Sequence, residues 1–144
     1  MMDTFLTDQQ IASLVEAIQS AEKHSTGEIR VHIDSSTTED QNAQRAFEVF
    51  KNLCQNKTAE SNAVLFHVNF GKKYLTIIGD IGIHDKVYQS FWDHLHDDIT
   101  SEFAKGNYYQ ALKSAILKTG TELKKHFPVR GENPNQLSNE ITFS

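Results

Sequence analysis

The sequence predicts one α/β domain, a three-layer α/β/α sandwich in which helices cover both faces of a short mixed β-sheet. Three observations carry that expectation. Apolar residues switch between a helical spacing of three to four and a strand spacing of two. The link between the first two strand patterns contains a whole helix, and the link between the second and third is too short for one. Helical crossovers join parallel strands and tight turns join antiparallel ones, so the sheet is expected to be mixed.

Thr7 followed by Gln10 has the capping-box form, in which each side chain satisfies a free backbone amide at a helix start. Ile11, Leu14, Val15, Ile18 and Ala21 then draw one apolar stripe, with Gly27 as the expected stop. From Glu28 to Ile33 the period becomes two: Ile29, Val31 and Ile33 face one way, and Glu28, Arg30 and His32 the other. Thr38 with Gln41 repeats the capping-box spacing. Ala43, Ala46, Phe47, Phe50, Leu53 and Cys54 mark the buried face of the helix expected to follow. Residues 63–69 and 74–79 read as the second and third strands, rich in β-branched and aromatic residues. Val87, Phe91, Leu95, Ile99 and Phe103 describe a third helix that ends at Gly106, and Tyr109 to Phe127 a fourth, stopped by Pro128. The domain is thus expected over residues 1–128. Residues 129–144 form a polar tail expected to be extended or mobile.

Composition limits the function. Hydrophobic residues at 38%, charged residues at 23% and two prolines belong to a globular protein. The net charge of -5, without clustered Lys or Arg, argues against a non-specific nucleic-acid partner. No apolar run reaches the roughly 20 residues of a membrane span, and Met1 to Leu6 lacks a basic region. The single cysteine, Cys54, has no partner for an internal bridge and is expected to be an inert packing thiol in a reducing compartment. A cytoplasmic monomer is the expectation.

Chain direction brings candidate chemistry together. If the first two strands run parallel and the third runs back, Glu28, Asn62 and Asp80 share one sheet edge, each beside a loop-forming residue. Oxygen side chains gathered on flexible backbone suit a hard divalent cation, calcium or magnesium. The stretch from Gly79 to Gly82 equally has the composition of a turn. Two rival sites stand elsewhere. Asp34 closes the first strand at the carboxyl edge, where open α/β sheets bind ligands, although an Asp and Ser loop leading into a helix cap explains it as well. His94 and Asp98, four apart on a helix with His96 and Asp97, have the spacing of a ligand pair, yet a solvated helix face accounts for them. No nucleophile elbow, phosphate loop or dinucleotide fingerprint is present.

The order of short motifs resembles a known family. Thr26 to Val31, Asn62 to Phe66, Ile77 to Ile83, Phe91-Trp92 and Phe103 to Tyr108 together look like a TPM domain. That domain is shared by thylakoid-lumen photosystem II repair proteins, a worm acetylcholine-receptor modulator and many bacterial proteins. The resemblance spans about residues 5–127, and the tail from Asn133 to Ile141 is similar to endings of soluble bacterial members, which implies a less mobile tail. It implies the same sandwich and divalent-cation binding, and plant members of the family have an acid phosphatase activity that the resemblance alone does not carry over to this chain. Carried over by position, Asp80 is the main ligand, with Glu28 as ligand or base and Asn62 beside them. Ala63 stands where relatives often carry Gly. Many relatives are exported and anchored; this chain shows neither signal nor anchor, which points away from an envelope role. The alternative function is a non-catalytic domain that docks a protein partner through an aromatic-bearing helix face and the tail.

Overall fold

The computed structural model describes residues 5–35, 42–129, 131 and 135–144. In chain order the elements are α1 (Asp8–Glu22), β1 (Glu28–Asp34), α2 (Asn42–Leu53), β2 (Ala63–Asn69), β3 (Tyr74–Gly79), α3 (Ile81–Ala104), α4 (Tyr108–His126) and β4 (Thr142–Phe143). The sheet order is β3-β2-β1-β4. β1 and β2 are parallel, with Glu28 opposite Ala63 and His32 opposite His67. β3 runs antiparallel to β2, with Val64 opposite Gly79. The mixed sheet expected from the link lengths is the sheet observed.

Alternation along β1 sorts the two faces. Ile29, Val31 and Ile33 join Val64, Phe66 and Val68 in the main core, packed with residues of α1, α3 and α4 such as Ile18, Leu95 and Ile116. On the other face a smaller cluster of Phe50, Cys54, Ala63, Leu65 and Leu137 packs α2 and the tail against the sheet. All seven β1 residues are buried. The row Glu28, Arg30, His32 and Asp34 therefore lies under cover and not in solvent, and a buried polar row needs partners because unpaired polar groups are costly away from water.

Several local expectations change. The Thr7 and Gln10 capping box forms, with both bonds at 3.0 Å, but α1 ends at Glu22, before Gly27. Gly27 serves packing, since a Cβ there would lie 2.5 Å from a Leu123 methyl. The Thr38 and Gln41 cap lies outside the described residues. Phe47 is 47% exposed, so the α2 stripe is narrower than its apolar residues suggest. Asp80 does not sit in a free turn: it is the N-cap of α3, which starts at Ile81 and is broken at Tyr88, where φ is 62°. The tail adds a fourth strand, β4, parallel to β1, and Leu137 and Ile141 are buried. Its polar composition conceals two apolar anchors.

Candidate functional site

Two groups of polar side chains occupy opposite ends of β1. At the amino end, strand direction brings the backbones of Glu28, Asn62 and Asp80 to one sheet edge. The Asp80 amide donates to Ala63 O at 2.8 Å and the Glu28 amide to Asn62 O at 3.5 Å. All three residues are buried. Asp80 Oδ1 accepts from the Ile81 amide at 2.8 Å and Oδ2 from the Asn56 amide at 3.0 Å. Glu28 Oε1 accepts from the Leu137 amide at 3.1 Å. Asn62 Oδ1 accepts from the Thr58 hydroxyl, and its Nδ2 donates to Thr26 Oγ1. Backbone carbonyls crowd the same edge: a Cβ on Gly82 would lie 2.1 Å from Glu60 O and 2.6 Å from Ser61 O. Only glycine permits that approach.

The electrostatics of this edge are unbalanced. Burial pushes the Glu28 carboxyl up to about 7, against amides of Leu137 and Gln136 that favour its charged form. Glu22, whose Oε2 accepts from the Ile29 amide at 2.7 Å, is pushed up to about 8 by burial and by the neighbouring Glu28 charge, against that amide and the Arg30 charge, which lower it. Among the described residues neither Glu28 nor Asp80 forms a salt bridge. Cys54 lies nearby, buried, its thiol pushed up to about 12 chiefly by that burial, and so unreactive.

At the carboxyl end of β1 stand His32, Asp34 and His67, all buried. One ligand atom from each lies within 4.8 Å of the others. His67 Nε2 is 3.3 Å from Asp34 Oδ2, which also takes the Arg45 Nε–H. The two imidazoles stack with centroids 5.7 Å apart. His32 Nδ1 is 2.7 Å from Thr142 Oγ1, and Nε2 is 2.7 Å from Ser144 Oγ. Burial lowers the pKa of both rings, that of His32 to about 4, so they are neutral at physiological pH. Asp34 was a rival candidate from sequence; His32 and His67 were not linked to it. Only the His32 to His67 register, a non-local pairing, reveals the group. The other rival disperses: His94 and Asp98 are exposed, Asp98 pairs with Lys118 at 3.2 Å, and His96 bonds Leu75 O.

A mixed sheet between helical layers, with buried polar groups at both ends of its first strand, defines an α/β/α sandwich carrying candidate metal ligands. The chain belongs to the TPM domain family, which it matches over residues 2–122. It is similar to the solution structure of the BA42 protein of the psychrophilic bacterium Bizionia argentinensis, with 38% identity over 100% of this chain and 99% of that one, at a TM-score of 0.89. It also shares its fold with the N-terminal domain of a protein from P. gingivalis, at 16% identity and a TM-score of 0.69, covering 88% of this chain and 83% of that one. No curated protein matches the chain. Among the described residues no helix is long and apolar enough to cross a membrane.

Proposed function

We propose that the chain is a cytoplasmic divalent-cation-binding domain whose hard cation, calcium or magnesium, is held by Asp80, Glu28 and Asn62. The observation that carries this reading is the unbalanced pair of buried acids. Glu28 and Asp80 reach one edge from adjoining segments, and no cationic side chain among the described residues bonds either. A buried carboxylate without counter-charge is unfavourable. Burial alone answers by raising Glu28 to about 7, so that it is part protonated near neutral pH; a cation answers by holding it ionised.

The donor chemistry fits. Carboxylates, an amide oxygen and the Glu60 and Ser61 carbonyls are hard oxygens of the kind both ions take. The amide bonds at Asp80 and Glu28 do not exhaust the carboxylates, because each oxygen carries two lone pairs. Asp80, fixed by two backbone amides, is the preorganised ligand, and Glu28 is the group that gains or loses a proton. A cation bound there would polarise a phosphoryl oxygen and acidify a water, which extends the reading to metal-assisted phosphomonoester hydrolysis. Calorimetric titration of the metal-free chain with calcium and magnesium tests binding, with Asp80→Asn as comparison. Equal affinity in both chains rejects the site. A phosphomonoester assay on the same pair tests catalysis, and activity unchanged by the substitution assigns it elsewhere.

One observation favours a second reading, a protein-docking edge. Ile81 and Tyr88 are 63% and 67% exposed beside the Asp80 cap, and Tyr88 holds a positive φ of 62° that is strained for a non-glycine residue. An Ile81→Asp chain separates the two readings, because cation binding by oxygens does not need the Ile81 side chain.

A further inference from the structure

We infer that His32, Asp34 and His67 form a second metal site, chemically distinct from the Asp80 edge, that takes zinc or a similar borderline ion. The inference does not depend on the Asp80 reading. Two imidazoles and one carboxylate are a three-ligand zinc set that leaves the fourth position to water. Nitrogen donors are poorly suited to calcium or magnesium. The three ligand atoms lie within 4.8 Å of one another, so an ion at their centre needs each to close by less than about 1 Å to reach zinc bonding distance. Rigid elements hold the set: His32 and His67 are register partners, and Asp34 lies two residues beyond His32 on the same face of β1.

The surrounding hydrogen bonds prepare the ligand atoms. When the Thr142 hydroxyl donates to Val31 O, 3.5 Å away, its Oγ1 is left to accept from His32 Nδ1–H at 2.7 Å. That leaves the lone pair on Nε2, the tautomer a metal requires, and an outer hydrogen bond of this kind is the usual support of a ligating histidine. Ser144 Oγ accepts from Arg45 Nη2 at 3.3 Å and donates to His32 Nε2. Ser144 is therefore the group an ion displaces. Arg45 places its positive charge against Asp34 where the ion's charge would stand, and its side chain is 45% exposed, so an ion must displace it from Asp34 and Ser144 toward solvent. On binding, the His67 proton moves from Nε2 to Nδ1 as Nε2 turns to the metal. A pocket of about 460 Å³ reaches His32, beside Arg45, Lys51 and Ser144, but is not lined by Asp34 or His67.

The test uses the full metal-free chain. Titration with zinc by calorimetry is expected to show one equivalent bound, and cobalt(II) is expected to give the intense visible absorption of a low-coordinate ion. In the ¹⁵N-labelled chain, zinc is expected to shift the imidazole nitrogens of His32 and His67 alone among the seven histidines. His67→Asn is expected to weaken zinc binding by more than the roughly 10–100-fold that loss of an outer-shell partner costs, with calcium binding retained. Asp80→Asn is expected to leave zinc affinity unchanged. Shifts confined to His94 and His96, or affinity unaltered in both His32→Asn and His67→Asn, overturn the inference. Should either substitution unfold the chain, the imidazole spectra of the unsubstituted chain decide alone.

Discussion

Raising the pH of the metal-free chain from 6.5 to 8 is expected to destabilise it, and Glu28→Gln is expected to remove about half of that loss. Glu22 and Glu28 have folded pKa values of about 8 and about 7, against an ordinary 4.5, both raised chiefly by burial. As pH rises the unfolded chain releases these protons first, so the folded state holds more protons and loses stability until its own carboxyls ionise. His32 and His67 act in the opposite sense. Burial depresses them, so the stability tied to their neutral forms is present above pH 6.5 and is lost as pH falls through the folded values. Below pH 6.5 the two effects offset each other; above it the carboxyls prevail. The folded state near pH 7.5 then holds about one proton more than the unfolded, which is a loss of roughly 1 kcal/mol per pH unit. For a chain of this size that lowers Tm by roughly 2–4 °C per unit. Glu28→Gln removes one of the two carboxyls and relieves Glu22 of its repulsion. Calorimetric Tm in chelator between pH 6.5 and 8 reads the effect directly. A flat profile, or an equally steep decline in Glu28→Gln, refutes the claim that burial holds these two carboxyls well above their ordinary range.

Thr7→Ala removes the Oγ1 acceptor of the Gln10 amide, one of the two capping-box bonds, while the Thr7 amide can still donate to Gln10 Oε1; it is expected to cost about 1 kcal/mol, read as a shift in urea midpoint at constant slope. Gly120→Ala would place a Cβ 2.6 Å from Ala21 Cβ and 2.9 Å from Ala21 O where α1 and α4 pack; a loss of about 1–3 kcal/mol is expected, and unchanged thermal stability would mean the helices are not in contact there. Deleting residues 142–144 removes the hydroxyls that bond both His32 nitrogens and opens the ring to water. The His32 pKa is then expected to rise from about 4 toward its ordinary value, as followed by imidazole proton shifts.

Much of the fold was legible because its determinants are local. The Thr7 cap and the β-branched and aromatic runs of β2 and β3 appear with the expected bounds, since turn residues and β-branched side chains act over a few positions. The shared edge of Glu28, Asn62 and Asp80 followed from link lengths alone. Non-local features were hidden. Asp80 lies in a sequence with the composition of a turn, and its role as a helix cap depends on α3 starting at once at Ile81. β4 has two residues and acquires its strand character from pairing with β1. The His32, Asp34 and His67 group exists only through register: residues 33 apart become neighbours when Asp34 and His67 meet across β1 and β2. The expected sandwich placed a helix over the polar row of β1, but the polar composition of the tail gave no sign that Leu137 would help to cover it.

The location of the hard cation is tested most directly by following backbone amide shifts as calcium is added to the metal-free chain. The account predicts saturable changes at residues 26–30, 60–63 and 79–84, which bracket Glu28, Asn62 and Asp80. Changes absent from those segments, or confined to the strand ends around Asp34 and His67, would contradict it.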